Sequence, residues 1–378
     1  MGLDNLVSSL GVKDGAARTT ANENDLFLKV FSGEVLTTFE ENNVMMPLHR
    51  VRTISSGKSA QFPVTGVAAA KYHTPGESLF GEEYDSNTDN AYLSNIKHNE
   101  RIIHIDGVLT ASAFLADIDE AKNHYEVRSI YSTEIGRQLA YNADRALIRT
   151  VIAGARKLTD RFGNTLAGGD DTYGGAVINM GNAAQTVAAA NEIDIPSGDA
   201  VASGAAPDGD SLLAALFVAA EQMDSKNVPS EGRYCLLPPA NYYQLVKTNK
   251  DAINRDYGND GNGSIAQGNI MSVAGIRILK SNHIPTGAAS STELLANAQI
   301  QNDVFGSAGV GYGNTSFAET KGVVFQTEGV GTVKLLDLAM ESEYFMERLG
   351  TMLMAKYAMG HGVLREEACM ELIVTAAG

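Results

Sequence analysis

Residues 118–156 read IDEAKNHYEVRSIYSTEIGRQLAYNADRALIRTVIAGAR, the most regular stretch of the chain. Val127, Tyr131, Ile135, Leu139, Ala143, Leu147 and Val151 fall four apart, and Ile130, Ile148 and Ile152 widen the stripe, so this is an amphipathic helix. At 1.5 Å per residue, 30 of these residues would reach about 45 Å, more than the radius of a compact domain of this length. The helix is expected to run as a spine across a flat molecule. Gly136 in its middle disfavours helix by about 1 kcal/mol relative to Ala and marks a bend.

Upstream, residues 1–22 are polar and without periodicity, which predicts a mobile arm. Leu26, Phe27, Val30, Phe31, Leu36 and Phe39 recur near helical spacing, interrupted at Gly33. A β-like segment, Val51 to Val64 with Pro63 inside it, leads into a polar excursion and returns as Arg101-Ile-Ile-His-Ile105. The excursion has too few apolar residues for a core. A two-stranded ribbon is marginal in water, so this one must lie on the body of its own subunit or on a neighbour.

Downstream, no Lys or Arg occurs between Arg161 and Lys226, and Gly, Ala and Asp dominate the first part, which reads as a loop or insertion. Asp210 is then expected to cap a helix with Leu213, Leu216, Phe217, Ala220 and Met223 on its apolar face. A strand (234–237), a Pro-started helix (239–247), a Gly/Asn loop (257–263) and a strand (275–280) follow, the alternation of a mixed α/β unit. The C-terminal part is strand-rich, at 323–325, 332–338, 351–359 and 370–375, with long ribbons returning to the spine helix.

Composition bounds the function. The chain has 378 residues, 44% hydrophobic and 20% charged, with Gly 38 and Trp 0, a globular composition rich in turns. A net charge of −16 argues against a general binder of nucleic acid or anionic membrane, which gains affinity by releasing counterions from phosphates. Cys235 and Cys369 are far apart in apolar surroundings, so no disulfide framework is expected and a reducing compartment is. No apolar run reaches the roughly 18 residues of a membrane span and no signal sequence is evident, so the chain is expected to be soluble and unexported.

Motifs of site chemistry are incomplete. Ser55-Ser-Gly-Lys-Ser59 imitates a P-loop, but Arg52 stands where the first glycine belongs, so a turn between strands is expected. Gly309-Val-Gly-Tyr-Gly313 lacks the strand, helix and acidic partner of a dinucleotide fingerprint. Asp256-Tyr-Gly-Asn-Asp-Gly261 imitates a calcium loop with Gly258 third and Gln267 twelfth, so the cage does not close. The seven histidines (His49, His73, His98, His104, His124, His283 and His361) form no zinc spacing and read as surface or turn residues, His104 on a solvent-facing strand position or a subunit contact. Glu82, Glu83, Glu366 and Glu367 sit in polar runs that solvation explains. No catalytic, cofactor or metal site is expected, and the chain does not read as an enzyme.

Several long strings nevertheless resemble one family. HRVRTISSGKSAQFPV (49–64), IIHIDG (102–107), DEAKNHYEVR (119–128), GTVKLLDLA (331–339) and AKYAMGHGVLREEA (355–368) are similar to the major capsid proteins of autographivirus-type short-tailed phages. VPSEGRY (228–234), LPPANYY (237–243) and VAGIRILKSNHIP (273–285) resemble the axial segments of the wider Hong Kong 97-type capsid fold. The resemblance implies an α+β fold with an N-terminal arm (1–48), an extended loop (49–107), a peripheral domain (108–200 and 330–378, with the spine at 118–156) and an axial domain (201–329). Residues 80–95 and 163–209 depart from the pattern as insertions.

It also implies hexamers and pentamers of this chain closing into an icosahedral virion shell around double-stranded DNA. The implied partners are a scaffolding protein and a portal protein, the site of assembly is the host cytoplasm, and no cofactor or membrane is involved. Subunit contacts would run through the extended loop, with Arg52, Lys58, Gln61, Phe62, Glu77 and Tyr84 as candidates. Arg52 and Lys58 would meet carboxylates of a neighbour, or be merely solvated. Some relatives join a loop lysine to a neighbour's asparagine, but Lys58 sits in a short turn without an acidic, apolar pocket, so a non-covalent shell is expected. Two readings of other classes are a virion decoration or receptor-binding protein and a soluble α/β enzyme.

Overall fold

The computed structural model describes residues 43–66, 98–118, 127–159, 174–180, 192–195, 207–248, 272–285 and 317–374, and short pieces between them (68, 70, 72–73, 75–76, 96, 162, 263–264, 269–270, 299–302, 304–305 and 312). The helix expected at 26–39, the calcium-like loop and most of the glycine run at 309–313 lie outside these residues.

Two sheets and one long helix organise the molecule. The first four strands are β1 (Arg50–Thr53), β2 (Ser59–Thr65), β3 (His98–His104) and β4 (Leu109–Ala116); the spine is α1 (Val127–Arg156). Then come β5 (Ala176–Asn179), β6 (Glu192–Asp194), α2 (Gly209–Ser225), β7 (Arg233–Leu237) and α3 (Pro239–Thr248). The remaining strands are β8 (Gly263–Ser264), β9 (Asn269–Ile270), β10 (Ser272–Val273), β11 (Ile276–Lys280), β12 (Thr320–Gln326), β13 (Val330–Phe345), β14 (Gly350–Val363) and β15 (Cys369–Ile373). One sheet has the order β1-β13-β14-β4, the other β10-β11-β7-β12-β15-β5-β6; β2–β3 and β8–β9 stand as separate ribbons.

The spine helix is common to both sheets. Ile135, Leu139, Ala140 and Ala143 pack on Leu353, Ala355, Tyr357 and Met359 of β14. One turn further along, Leu147, Ile148, Val151, Ile152 and Ala155 pack with Leu236, Val323, Phe325 and Cys369 of the seven-stranded sheet and with Val330 at the start of β13. The four-residue periodicity therefore binds one half of the molecule to the other. Its first turns reach beyond this cover and leave Ile130 and Tyr131 exposed. On the seven-stranded sheet α2 and α3 add a second core with Leu212, Leu216, Met223, Tyr242 and Leu245.

Several expectations are corrected. The β-like segment 51–64 is two strands in different sheets, separated by the half-buried Ile54 and an exposed turn at 55–58 where the P-loop imitation lies and no helix follows. The Gly/Ala-rich stretch 163–209 is not simply a loop, because β5 lies fully buried between β15 and β6. Its short run Ala-Val-Ile-Asn is too brief to show a period, so only sheet pairing reveals it. The cap of α2 is Asp208, whose carboxylate accepts from Ser211 N at 2.9 Å, not Asp210. Its buried face runs through Leu212, Ala215, Leu216, Ala219, Ala220 and Met223, while Phe217 is exposed. His49 and His361 are core residues, and Glu366 and Glu367, read as solvated, are buried.

Candidate inter-subunit interface

The ribbon is built by strict alternation. β2 and β3 pair antiparallel from Ser59↔His104 to Thr65↔His98. Ala60, Phe62 and Val64 face inward on one strand and Ile103 on the other. Opposite them, Ser59, Gln61, Pro63 and Thr65 share the outer face with His98, Glu100, Ile102 and His104, all exposed. Pro63 is tolerated because an edge strand owes no ladder hydrogen bond on its free side.

The inner face sits on the body of the same subunit. Ala60, Phe62, Ile103, Val333 and Leu364 make a small core beneath the ribbon. The fit depends on glycines in β13 and β14. A Cβ at Gly360 would collide with the carbonyl oxygen of His104. One at Gly362 would come within 2.8 Å of Ile103 Cγ1, and one at Gly331 within 2.8 Å of Leu364 Cδ1. At Gly360 the ribbon's backbone approaches as only glycine allows, and at Gly331 and Gly362 the missing side chains leave room for Leu364 and Ile103.

Charge fixes the same joint. Glu366 is wholly buried and its Oε1 accepts from both Arg101 of β3 and Lys157 just past α1, the latter at 2.9 Å. Glu371, equally buried in β15, takes a bidentate pair from Arg156 at 2.6 and 2.7 Å and the hydroxyl of Thr320 at 2.6 Å. Ribbon, spine and C-terminal strand are tied through these two carboxylates. On the flank, Asn302 accepts from His104 N at 2.9 Å and donates to His104 O. Asp106 accepts from Gln301 N, Asn302 N, Asn302 Nδ2 and, at 2.6 Å, the Tyr312 hydroxyl; burial pushes its carboxyl up against the pull of these bonds.

Where the chain enters the body, three more polar groups are interlocked. The carboxylate of Asp144, buried in α1, accepts from Val44 N, Met45 N and His283 Nδ1. His49 Nδ1 contacts the Met45 carbonyl at 2.7 Å, so that nitrogen carries the proton. Its Nε2 then accepts from the Thr332 hydroxyl at 2.6 Å, which in turn accepts from His361 Nδ1 at 2.8 Å. One proton arrangement satisfies the row with both rings neutral. Burial lowers both histidines, His361 to about 3.

The candidate contact residues separate in the structure. Arg52 donates to Gln61 O at 2.8 Å and lies 5.7 Å from the centre of the Phe62 ring, inside its own subunit. Lys58 is exposed in the β1–β2 turn, and its carbonyl accepts from Ile105 N. Gln61 lies on the exposed outer face, whereas Phe62 is only 6% exposed and belongs to the core under the ribbon. Glu77 and Tyr84 lie outside the described residues. Sequence reasoning missed Glu366, Glu371, Arg101, Arg156 and Lys157; the one signal was the row of glycines in AMGHGV, whose lack of side chains implies a close neighbour.

Among the described residues no group of His, Cys, Asp and Glu is arranged to hold a metal ion, and no helix is long and apolar enough to cross a membrane. Cys235 and Cys369 are both buried thiols.

Comparison with known proteins assigns the architecture. A family model described as Gp10A-like major capsid protein matches residues 61–373. The chain is 33% identical to the major capsid protein of Enterobacteria phage T3 over 366 residues, covering 97% of this chain and 96% of that protein. It is 34% identical to the major capsid protein of Escherichia phage T7 over 376 residues, covering 95% of each. The capsid structure of cyanophage P-SCSP1u superposes with a TM-score of 0.68 at 38% identity, over 98% of this chain and 99% of that one. With the α+β capsid fold and a family match over most of its length, the chain belongs to the Gp10A-like major capsid proteins.

Proposed function

We propose that the chain assembles through hexamers and pentamers into an icosahedral phage head around double-stranded DNA, with residues 49–107 as the extended loop. The arm is 1–48, the peripheral domain 108–200 with 330–378, and the axial domain 201–329. β5, β6 and β15 share their sheet with strands of the axial segment, so one continuous sheet joins the proposed peripheral and axial parts. A scaffolding protein assists closure, a portal protein occupies one vertex, and assembly takes place in the host cytoplasm. The chemistry is that of repeated weak contacts, with no reaction catalysed. An excess of 16 negative charges lets packaged DNA slide against the wall instead of adhering.

The observation that carries this reading is the ribbon. Its root is fixed by buried ion pairs and glycine contacts, while its outer face, with Gln61 and the half-exposed Ile102, is left to another molecule. Purified chain, alone and with its scaffolding protein, is expected to give closed shells in electron micrographs. Stable monomers under both conditions would overturn the proposal.

A further inference from the structure

A pocket of about 130 Å³ lies where the chain leaves the ribbon, between residues 106–109, the middle of α1, residues 299–300 and β14. The carboxylate of Asp106 is in its wall. Oδ1 accepts three N–H groups, from Gln301 N at 2.8 Å, Asn302 N at 3.2 Å and Asn302 Nδ2 at 2.9 Å, while Oδ2 accepts the Tyr312 hydroxyl at 2.6 Å. All four donors are uncharged. Among the described residues no ion pair involves this carboxylate, and no Lys or Arg lines the pocket. Tyr312 spends its one proton on Asp106, because its oxygen accepts from His361 N at 2.9 Å. His361, the one imidazole in the wall, is lowered to about 3 by burial and brings no positive charge.

The carboxylate therefore faces the pocket without a counter-ion. Oδ1 is saturated by its three N–H groups, whereas Oδ2 has one described donor and room for a second. Burial, then Asp106, then Asp144 push the Tyr357 hydroxyl up, so negative potential extends across the pocket to its far wall. The remaining surface is apolar, with Leu109, Ala146, Ile300 and Met359, and the rings of Tyr312 and Tyr357 add aromatic surface of the kind that attracts ammonium groups. At the packing density of a protein interior, 130 Å³ holds about five non-hydrogen atoms.

These features select one ligand class. A guanidinium wants both oxygens of a carboxylate, and Oδ1 is taken. A divalent metal ion wants several oxygen ligands, and among the described residues no group of His, Cys, Asp and Glu is arranged to hold one. We propose that the pocket binds a short primary alkylammonium ion, its nitrogen donating to Asp106 Oδ2 and its carbon chain lying against Leu109, Ile300 and Met359. Such a ligand would brace the root of the ribbon, because Asn302, which shares Asp106, also holds His104 of β3 by both N–H and C=O. The site belongs to the single subunit and goes beyond the capsid reading, which is tested separately by shell formation.

The test uses the unassembled full-length chain, titrated with n-butylammonium chloride at ionic strength held constant with sodium chloride. Saturation-transfer NMR is expected to show saturable binding, with a rise in melting temperature and slower amide exchange at residues 102–104. Tetramethylammonium, which has the charge but no N–H, and 1-butanol, which has the chain but no charge, should each bind about tenfold more weakly. Asp106→Asn should cost about tenfold in affinity for n-butylammonium, and so should Ile300→Phe, which fills the pocket and leaves the carboxylate in place. Equal binding of n-butylammonium and tetramethylammonium would show only attraction to an acidic surface and overturn the proposal. Unchanged affinity in both variants would overturn it too. Should Asp106→Asn fail to fold, the comparison of the three ligands on the unmodified chain, together with Ile300→Phe, decides the matter.

Discussion

Glu366 has two cations on one oxygen and none of its surface in water, so its charge is committed to the joint. Replacing it by Gln leaves Arg101 and Lys157 facing a neutral amide. Because both keep some exposure, the expected loss is about 2 kcal/mol, below the 3–5 kcal/mol of a fully buried pair. Glu341→Gln, at the exposed pair with Lys356, should change stability by less than about 1 kcal/mol. Paired thermal melts of the two variants read the difference, and equal melts would contradict the assignment. The neutral histidines make a second residue-scale prediction. The unfolded chain binds protons at these rings near pH 6.5, the folded chain only near pH 3 at His361. Stability is therefore complete above pH 6.5 and falls as pH drops from 6.5 towards 3, at up to about 1.4 kcal/mol per pH unit for each ring. Asp144 opposes the shift at His49, while Lys334 reinforces it at both rings. His361→Asn keeps a donor for Thr332 and removes one titration. It should flatten the fall in melting temperature between pH 7 and pH 4.5, and an unchanged slope would disprove the account.

At the level of elements, the ribbon is a lever with a fixed root. The methyl group of Gly360→Ala would enter the space of the His104 carbonyl, and overpacking of this kind costs about 1–3 kcal/mol. The strain falls on β3, the lighter partner, so amide exchange should accelerate across 98–104 while β15 stays protected. Uniform loss of protection would show that ribbon and body unfold together. The far end of the ribbon should behave differently. Register ends at Thr65↔His98, and the core under the ribbon uses Ala60, Phe62 and Ile103. Joining Thr65 to His98 by a short Gly-containing turn is expected to keep the helices and the thermal transition while shells fail to close. Unfolding of the shortened chain would place the missing segment in the subunit core, and normal salt-resistant shells would show that it is not a clamp.

For the whole molecule, the spine helix joins two cores, so a push on the ribbon is transmitted through Arg101, Glu366 and Lys157 to the end of the helix and thence to the seven-stranded sheet. A shell of such units can be rigid without covalent bonds between them. Lys58 is exposed in its turn, without the apolar enclosure an amine nucleophile requires. Particles boiled in detergent are therefore expected to run as single chains on a gel, and a ladder of oligomers would contradict this.

Sequence alone determined the elements whose signal is local. The helix read at 118–156 and described over 127–156, the strands read at 234–237 and 275–280, the shorter strands read at 332–338 and 351–359 inside β13 and β14, and the return strand of the ribbon follow from periodicity and turn residues, and the strings around 49–64 and 355–368 pointed to a capsid protein. What depends on residues far apart was not legible. The pairing of β5 with β15 joins positions about two hundred residues apart, and the burial of Glu366 depends on Arg101 and Lys157 arriving from other elements. A buried carboxylate and a solvated one look identical in a polar run such as Arg365-Glu-Glu-Ala368, because the cost of burial is offset by partners the local sequence does not contain. The same holds for His49 and His361: only the tertiary structure sets one threonine hydroxyl between two imidazoles and so decides that they stay neutral in the core.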